Sequence, residues 1–165
     1  MRMIPQMANL ISLKISHRPS DQKEEFFSTL RNCLQQSSFH ELHLFHIYDL
    51  PFSVLDDVKC IKHLTLSNCL TTKGEASFPT SQLSLETLVL SGVFIPDLHR
   101  WAMKWVTRLT TLELSNLKLD LDSDWLAFPE LLAACSNSLT RLRIDMSDRC
   151  MLYLSIIFFK FTYIS

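Results

Sequence analysis

Apolar residues recur along most of the chain in one spacing: an apolar residue, two free positions, a second apolar residue, one free position and a third. The copies are Leu10/Leu13/Ile15, Phe39/Leu42/Leu44, Ile61/Leu64/Leu66, Leu85/Leu88/Leu90, Leu109/Leu112/Leu114 and Leu139/Leu142/Ile144. The second and third apolar residues alternate with a free position, which is typical of a strand with one buried face. The pattern therefore predicts six strands.

Each of three middle strands ends with serine, then Asn or Gly, then an apolar residue. Asn68, Gly92 and Asn116 tolerate left-handed backbone angles, so we expect the chain to turn off the strand there. The residues that follow are expected to turn inward: Cys69, Val93 and Leu117. Ser67, Ser91 and Ser115 form a ladder that we interpret as polar positions at the strand ends rather than as a phosphate site.

Helices or loops are expected between the strands. Asp21 and Glu24 fit a helix start, and Pro96 and Pro129 can each open a further short helix. Apolar residues at helical spacing follow these starts: Phe26, Phe27, Leu30, Cys33 and Leu34 in the first, Leu98, Trp101, Ala102, Trp105 and Val106 in the second, and Leu131, Leu132 and Cys135 in the third. Residues 71–84 are predicted to form a loop.

The copies begin about 22 to 30 residues apart, which is the period of a leucine-rich repeat. One such unit cannot bury its apolar face alone, so stacked neighbours must share a core. The predicted fold is α/β: a short leucine-rich-repeat solenoid of about six repeats over residues 1–148, with a concave parallel sheet and convex helices and loops. The leucines expected to be buried are Leu42, Leu44, Leu64, Leu66, Leu88, Leu90, Leu112 and Leu114.

Residues 149–165 form an apolar C-terminal tail, which we expect to be poorly ordered or a partial repeat. Ile156, Phe159 and Phe161 fit the repeat spacing, but the polar outer face of a terminal cap is missing. The apolar stretch is shorter than the ~20 residues of a membrane span, and Lys160 interrupts it. We therefore expect an unprotected end rather than an anchor. The chain also begins in mid-repeat, which indicates a fragment or an imperfect gene model.

Several segments resemble a known family. They are FFSTLRNCLQQSSFHELHLFHIYDLPFSVLDDVKCIKHLTLSNC (26–69), FPTSQLSLETLVLSGV (78–93) and FPELLAACSNSLTRLRI (128–144). They are similar to the repeat region of the F-box/leucine-rich-repeat families of mushroom-forming fungi, over roughly residues 4–146. The resemblance implies repeats that select substrates for a ubiquitin ligase, whose scaffold an N-terminal F-box engages. This chain has no F-box, so a scaffold partner is expected only if one is encoded upstream.

Composition narrows the choice of partners and compartment. The net charge is −1, from 16 basic and 17 acidic residues without long runs of one sign, which disfavours nucleic acid because phosphate binding needs concentrated Lys and Arg. Five cysteines without paired spacing, and no signal peptide, favour reduced thiols and a cytoplasmic or nuclear location.

Candidate chemistry is sparse. His40, His43 and His46 are three residues apart, and such residues point to opposite faces of a strand. Glu41 and His43 share a face that His63 can approach, but we interpret all three as solvated side chains, not metal ligands. Trp101 and Trp105 are interpreted as packing residues rather than an exposed platform. We predict no enzyme, catalytic residue, metal or cofactor.

The solvent-facing strand positions are the predicted binding surface, because a solenoid presents this face as an extended groove. The predicted partner-binding residues are Lys14, Glu41, His43, His63, Thr65, Thr87, Val89, Thr111, Glu113, Arg141 and Arg143. The leading hypothesis is a protein–protein interaction module, as a substrate-recognition fragment of an F-box-type adaptor. The alternatives are a leucine-rich-repeat protein tethered to a membrane by its tail, and a non-functional gene fragment.

Overall fold

One parallel sheet organises the molecule. The computed structural model describes residues 12–16, 23–36, 40–51, 54, 60–70, 85–93, 105–106, 108–117 and 130–145. Their elements are β1 (Ser12–Ser16), α1 (Lys23–Gln36), β2 (Glu41–Phe45), β3 (His63–Ser67), β4 (Thr87–Ser91), β5 (Thr111–Ser115) and β6 (Arg141–Asp145), with a further helical stretch over 130–135. The strands pair in chain order from β1 to β6. The predicted α/β class, parallel sheet and six strand positions are confirmed.

The sequence repeat is also the register of the sheet. Equivalent residues of successive units stand side by side, so the second apolar position of every unit forms one row across the sheet: Leu13, Leu42, Leu64, Leu88, Leu112 and Leu142. The third apolar position forms a parallel row. Because neighbouring strands lie about 4.8 Å apart, each leucine of β2 to β5 lies beside an equivalent residue on both sides.

The core lies on one face of this sheet. In β2 to β5 every strand alternates half-buried and fully buried residues, and the predicted core leucines from Leu42 to Leu114 are at most 1% exposed. Their predicted burial is confirmed. Burying a leucine side chain is worth about 1.5–3 kcal/mol, so the in-register rows are a major source of stability.

Helices cover the core side of the sheet. In α1, Leu30 and Leu34 are buried, and Phe26 and Phe27 pack partly buried against the core. The predicted first helix is therefore confirmed. In the stretch 130–135 the predicted inward residues are also buried: Leu131, Leu132 and Cys135.

The outer strands depart from the expected inward pattern. Leu142 of β6 is 38% exposed, and Ile144 is only half-buried. The apolar positions of β1, Leu13 and Ile15, are half-buried as well. The reason is position in the sheet: among the described strands, β1 and β6 each have a neighbour on one side only. The spacing of apolar residues predicts the face of a side chain but not whether a neighbour covers it.

A left-handed residue follows each of the strands β2 to β5. These residues are His46, Asn68, Gly92 and Asn116, with φ of 55°, 51°, 61° and 49°. Each donates its backbone N–H to the last carbonyl of the next strand, at 2.7 to 2.9 Å. The turn predicted at Asn68, Gly92 and Asn116 is confirmed. His46 makes the same turn, which its residue type did not predict. Cys69 and Val93 then turn inward and are buried, while Leu117 is half-buried.

Gly92→Ala is expected to lower the free energy of unfolding by about 1–2 kcal/mol, the cost of a left-handed backbone for an alanine. An added Cβ would also collide with Oδ1 of Asn68. Urea denaturation measures the loss. In an Asn68→Gly background the collision is absent, so the same substitution should cost less. Equal stability of Gly92→Ala and the wild type would contradict this turn geometry.

Some predictions lie outside the described residues. They concern the loop at 71–84, most of the helix after Pro96 and the tail at 149–165. None of the helices that the structure describes combines the length and the apolar character that a membrane span requires.

Candidate functional site: the open face of the sheet

The face of the sheet opposite the core carries three cross-strand rows, and we call it the open face. Row 1 is Ser12, Glu41, His63, Thr87, Thr111 and Arg141. Row 2 is Lys14, His43, Thr65, Val89, Glu113 and Arg143. Row 3 is Ser16, Phe45, Ser67, Ser91, Ser115 and Asp145. All these residues are half-buried or exposed. The structure thus brings all the predicted partner-binding residues together in rows 1 and 2, and their role in binding stays a prediction.

The middle of the open face, across β3 and β4, is mostly hydroxyl-bearing. Its side chains in the three rows are threonines and serines around one apolar residue, Val89, with His63 in row 1. No carboxylate, ammonium or guanidinium group belongs to the rows in these two strands. Six strands about 4.8 Å apart make the face about 24 Å wide. Such a surface offers donors and acceptors at regular intervals, with charged groups concentrated toward the two ends.

At the β1–β2 end an aromatic ring lies among basic groups. Nζ of Lys14 is 4.8 Å from the ring centroid of Phe45, and the rings of His43 and Phe45 stack with centroids 6.5 Å apart and planes 16° apart. At an exposed site the cation–π contact is worth about 0.5–1 kcal/mol. Glu41 Oε2 is 3.7 Å from Nε2 of His43. Phe45 was not among the predicted binding residues, although strict alternation from Glu41 through His43 places it on the same face.

At the β5–β6 end an ion pair joins two rows. Nη2 of Arg141 lies 3.0 Å from Oε1 of Glu113, with the two side chains 65% and 25% exposed. Exposed pairs of this kind contribute about 0–1 kcal/mol to stability. Arg143, whose register partner is Glu113, is exposed. This end therefore offers two guanidinium groups, whose planar donors suit carboxylates.

A further ion pair lies where β3 and β4 begin. Nζ of Lys62 donates to Oε1 of Glu86 at 2.7 Å. This hydrogen bond, with the charge of Lys62, lowers the pKa of the Glu86 carboxyl. The backbone carbonyls of these two residues each accept two N–H groups from the next unit. Main-chain hydrogen bonds thus connect successive strands at this point, and the Lys62–Glu86 ion pair is a solvent-exposed contact beside them.

The four histidines that the structure describes do not converge on a metal site. Glu41 and His63 are register partners, but within the part of the chain that the structure describes no three His, Cys, Asp or Glu side chains are placed to hold a metal ion. Nδ1 of His40 lies 2.9 Å from the carbonyl oxygen of Cys60. His46 is in the turn after β2 rather than in the strand.

The buried thiols are poor nucleophiles. Burial raises the pKa of the Cys69 thiol, which lies 3.4 Å from the carbonyl oxygens of Leu44 and Ser67. Burial likewise raises the pKa of the Cys135 thiol. A thiol reacts as its thiolate, so a raised pKa lowers the reactivity of these side chains at neutral pH.

Trp105 belongs to the core rather than to a surface. Its side chain is 0% exposed and is the largest fully buried side chain among the described residues. This confirms that Trp105 packs rather than forms an exposed platform, while Trp101 lies outside the described residues.

The open face thus has two ends with charged side chains, joined by a hydroxyl-rich middle. Comparisons of the chain with protein-family models, with characterised proteins and with solved structures gave no match.

Proposed function

We propose that the chain is a leucine-rich-repeat solenoid that binds another protein through the open face. The observation that carries the proposal is the continuity of this face over six parallel strands in one register. The repeated left-handed turn after β2 to β5 supports the solenoid, because each unit leaves its strand in the same way. A rigid sheet that holds its outward side chains in fixed rows is pre-organised, which lowers the entropic cost of binding.

The chemistry of the face favours recognition over catalysis. Its polar side chains are hydroxyls, ion pairs and an aromatic ring, and they are spread over rows rather than directed at one point. Arginine and aromatic residues are enriched among the residues that dominate binding energy. The face carries such residues at both of its ends.

The resemblance to F-box/leucine-rich-repeat proteins suggests the biological setting. In that setting the bound protein is a substrate presented to a ubiquitin ligase, and the open face selects it. A contact with the ligase scaffold requires an F-box, which residues 1–165 do not include. The genomic sequence upstream tests this part directly: an F-box in frame would support it, and an unrelated upstream region would remove it.

Charge reversal at the β6 end should weaken partner binding. The double variant Arg141→Glu and Arg143→Glu is expected to lose about tenfold or more in affinity for a partner identified by affinity capture, because both guanidinium groups face solvent in adjacent rows. The melting temperature should change little, since exposed ion pairs contribute little. Biolayer interferometry gives the affinity and calorimetry the melting temperature.

The matched control reverses two charges on the opposite side of the molecule. Glu24 and Glu25 are exposed in the first turn of α1, and Glu24→Lys with Glu25→Lys should leave the affinity unchanged. If this control loses binding while the arginine variant keeps it, the partner binds the helical side and the proposal is wrong.

A further inference from the structure

Among the residues of the three rows of the open face, Phe45 is the one phenylalanine, and the rows contain no tyrosine or tryptophan. A half-buried phenylalanine on a solvated face leaves apolar surface in contact with water, which is unfavourable unless something covers it. Within the described residues its ring is accompanied by the Lys14 ammonium on one neighbouring strand and by the His43 ring two positions earlier in its own strand. The ring is thus held in place and remains accessible.

One cationic group, the ammonium of Lys14, lies at the ring of Phe45. The neighbours of Phe45 in row 3 are Ser16 and Ser67, which carry no charge. The carboxylate of Glu41 lies 3.7 Å from Nε2 of His43, so the acidic group of the chain at this end stands beside the histidine rather than beside Lys14. Among the described residues no carboxylate pairs with Lys14, whose ammonium lies over the ring instead. A partner carboxylate placed beside Phe45 would meet Lys14 without displacing an existing ion pair.

The dimensions of the open face suit an extended segment. Each strand of five residues is about 16 Å long, and the six strands are about 24 Å across. A typical globular interface uses about 800 Å² on each partner, which is more than this face offers in projection. An extended chain of about seven residues, at 3.4 Å each, crosses it from end to end. Thr65 and Ser67 of β3 are the register partners of His43 and Phe45, so the segment would meet hydroxyl-bearing residues on the next strand.

We propose that Lys14, His43 and Phe45 form a docking site for an extended peptide segment that carries a carboxylate next to an aromatic side chain. The aromatic side chain packs against the rings of Phe45 and His43, and the carboxylate pairs with Lys14. The segment then continues across the hydroxyl-rich middle of the face. This inference rests on the proposed function and specifies the partner's chemistry and its point of attachment.

The test selects peptides without assuming their sequence. A library of random nonapeptides is displayed and selected on the immobilised full chain, and the selected peptides are synthesised with a fluorescent label for anisotropy titration. We expect the selected set to be enriched in peptides with Asp or Glu beside Phe, Tyr or Trp. Their affinity should fall about tenfold with Phe45→Ala and with Lys14→Glu. It should fall less with Lys14→Gln, which removes the charge without reversing it.

Two controls separate binding at this face from a general effect of charge and from misfolding. Glu24→Lys with Glu25→Lys reverses two exposed charges of α1, outside the open face, and should change the affinity less than threefold, about 0.65 kcal/mol. Melting temperatures establish that each variant is folded. Lys14 is exposed, so Lys14→Glu remains informative if Phe45→Ala proves unstable.

The outcomes distinguish failure of the docking site from failure of the proposed function. Selected peptides without the acidic and aromatic bias, or no retained peptide, would overturn the docking site. Peptides weakened by reversal of Arg141 and Arg143 but not by Phe45→Ala or Lys14→Glu would overturn it while leaving the open face as the binding surface. Peptides weakened only by the reversal of Glu24 and Glu25 would overturn both.

Discussion

Leu88→Ala is expected to lower the free energy of unfolding by about 2–5 kcal/mol, the usual cost of truncating a fully buried leucine. Leu88 is 0% exposed and lies in the middle of the leucine row, with Leu64 and Leu112 as its neighbours on either side. Strands on both sides hold the cavity open, so little collapse can offset the loss. Urea denaturation followed by circular dichroism measures the change.

Leu142→Ala is the matched control, because Leu142 occupies the same row and the same register at the end of the sheet. It is 38% exposed, so its truncation should cost clearly less than that of Leu88, by about 1 kcal/mol or more. Equal losses at the two positions would mean that Leu142 is covered in solution. A negligible loss at Leu88 would contradict the sheet register itself.

Trp105→Ala is expected to cost about 3–5 kcal/mol, as large aromatic truncations in cores do. Trp105 is fully buried, and Val106 and Leu109 beside it in the chain belong to the same core. The loss of so large a side chain should also flatten the near-ultraviolet circular dichroism, which reports on fixed aromatic packing. Thermal unfolding and near-ultraviolet spectra together measure the effect.

Trp105→Phe provides the comparison, since it keeps an aromatic ring and most of the apolar contact. It should cost less than Trp105→Ala, because a smaller cavity remains. If Trp105→Ala left the stability unchanged but abolished partner binding, Trp105 would belong to a binding surface. That result would contradict its burial in the core.

The buried face of the sheet could be predicted from the spacing of apolar residues, because burial in each strand depends on a local alternation that recurs along the chain. Leu42 and Leu44 alternate with outward residues, and the same alternation recurs in each unit, so one rule places every strand. The turns at Asn68 and Gly92 were predictable for a related reason: few residue types adopt positive φ without strain.

Other features depend on neighbours that spacing does not encode. Leu142 follows the core pattern, yet its exposure is set by the lack of a described strand beyond β6. His46 adopts a left-handed angle at the same position after its strand as Asn68 and Gly92, although histidine is not a residue type that predicts such a turn. The site around Phe45 was missed because the pattern marks outward positions without ranking them, and the contact with Lys14 exists only once β1 and β2 pair.

The chain-order pairing of the strands also bears on how the molecule folds. Every strand pairs with the strands next to it in the chain, so the loop that must close before each pairing forms has nearly the same length throughout. Closure entropy grows only slowly with loop length, and each added unit therefore meets about the same kinetic barrier. Folding of such an array can start at any well-packed pair and spread outward in both directions. Among the described strands, β1 and β6 pair on one side only, so we expect them to open before the strands between them.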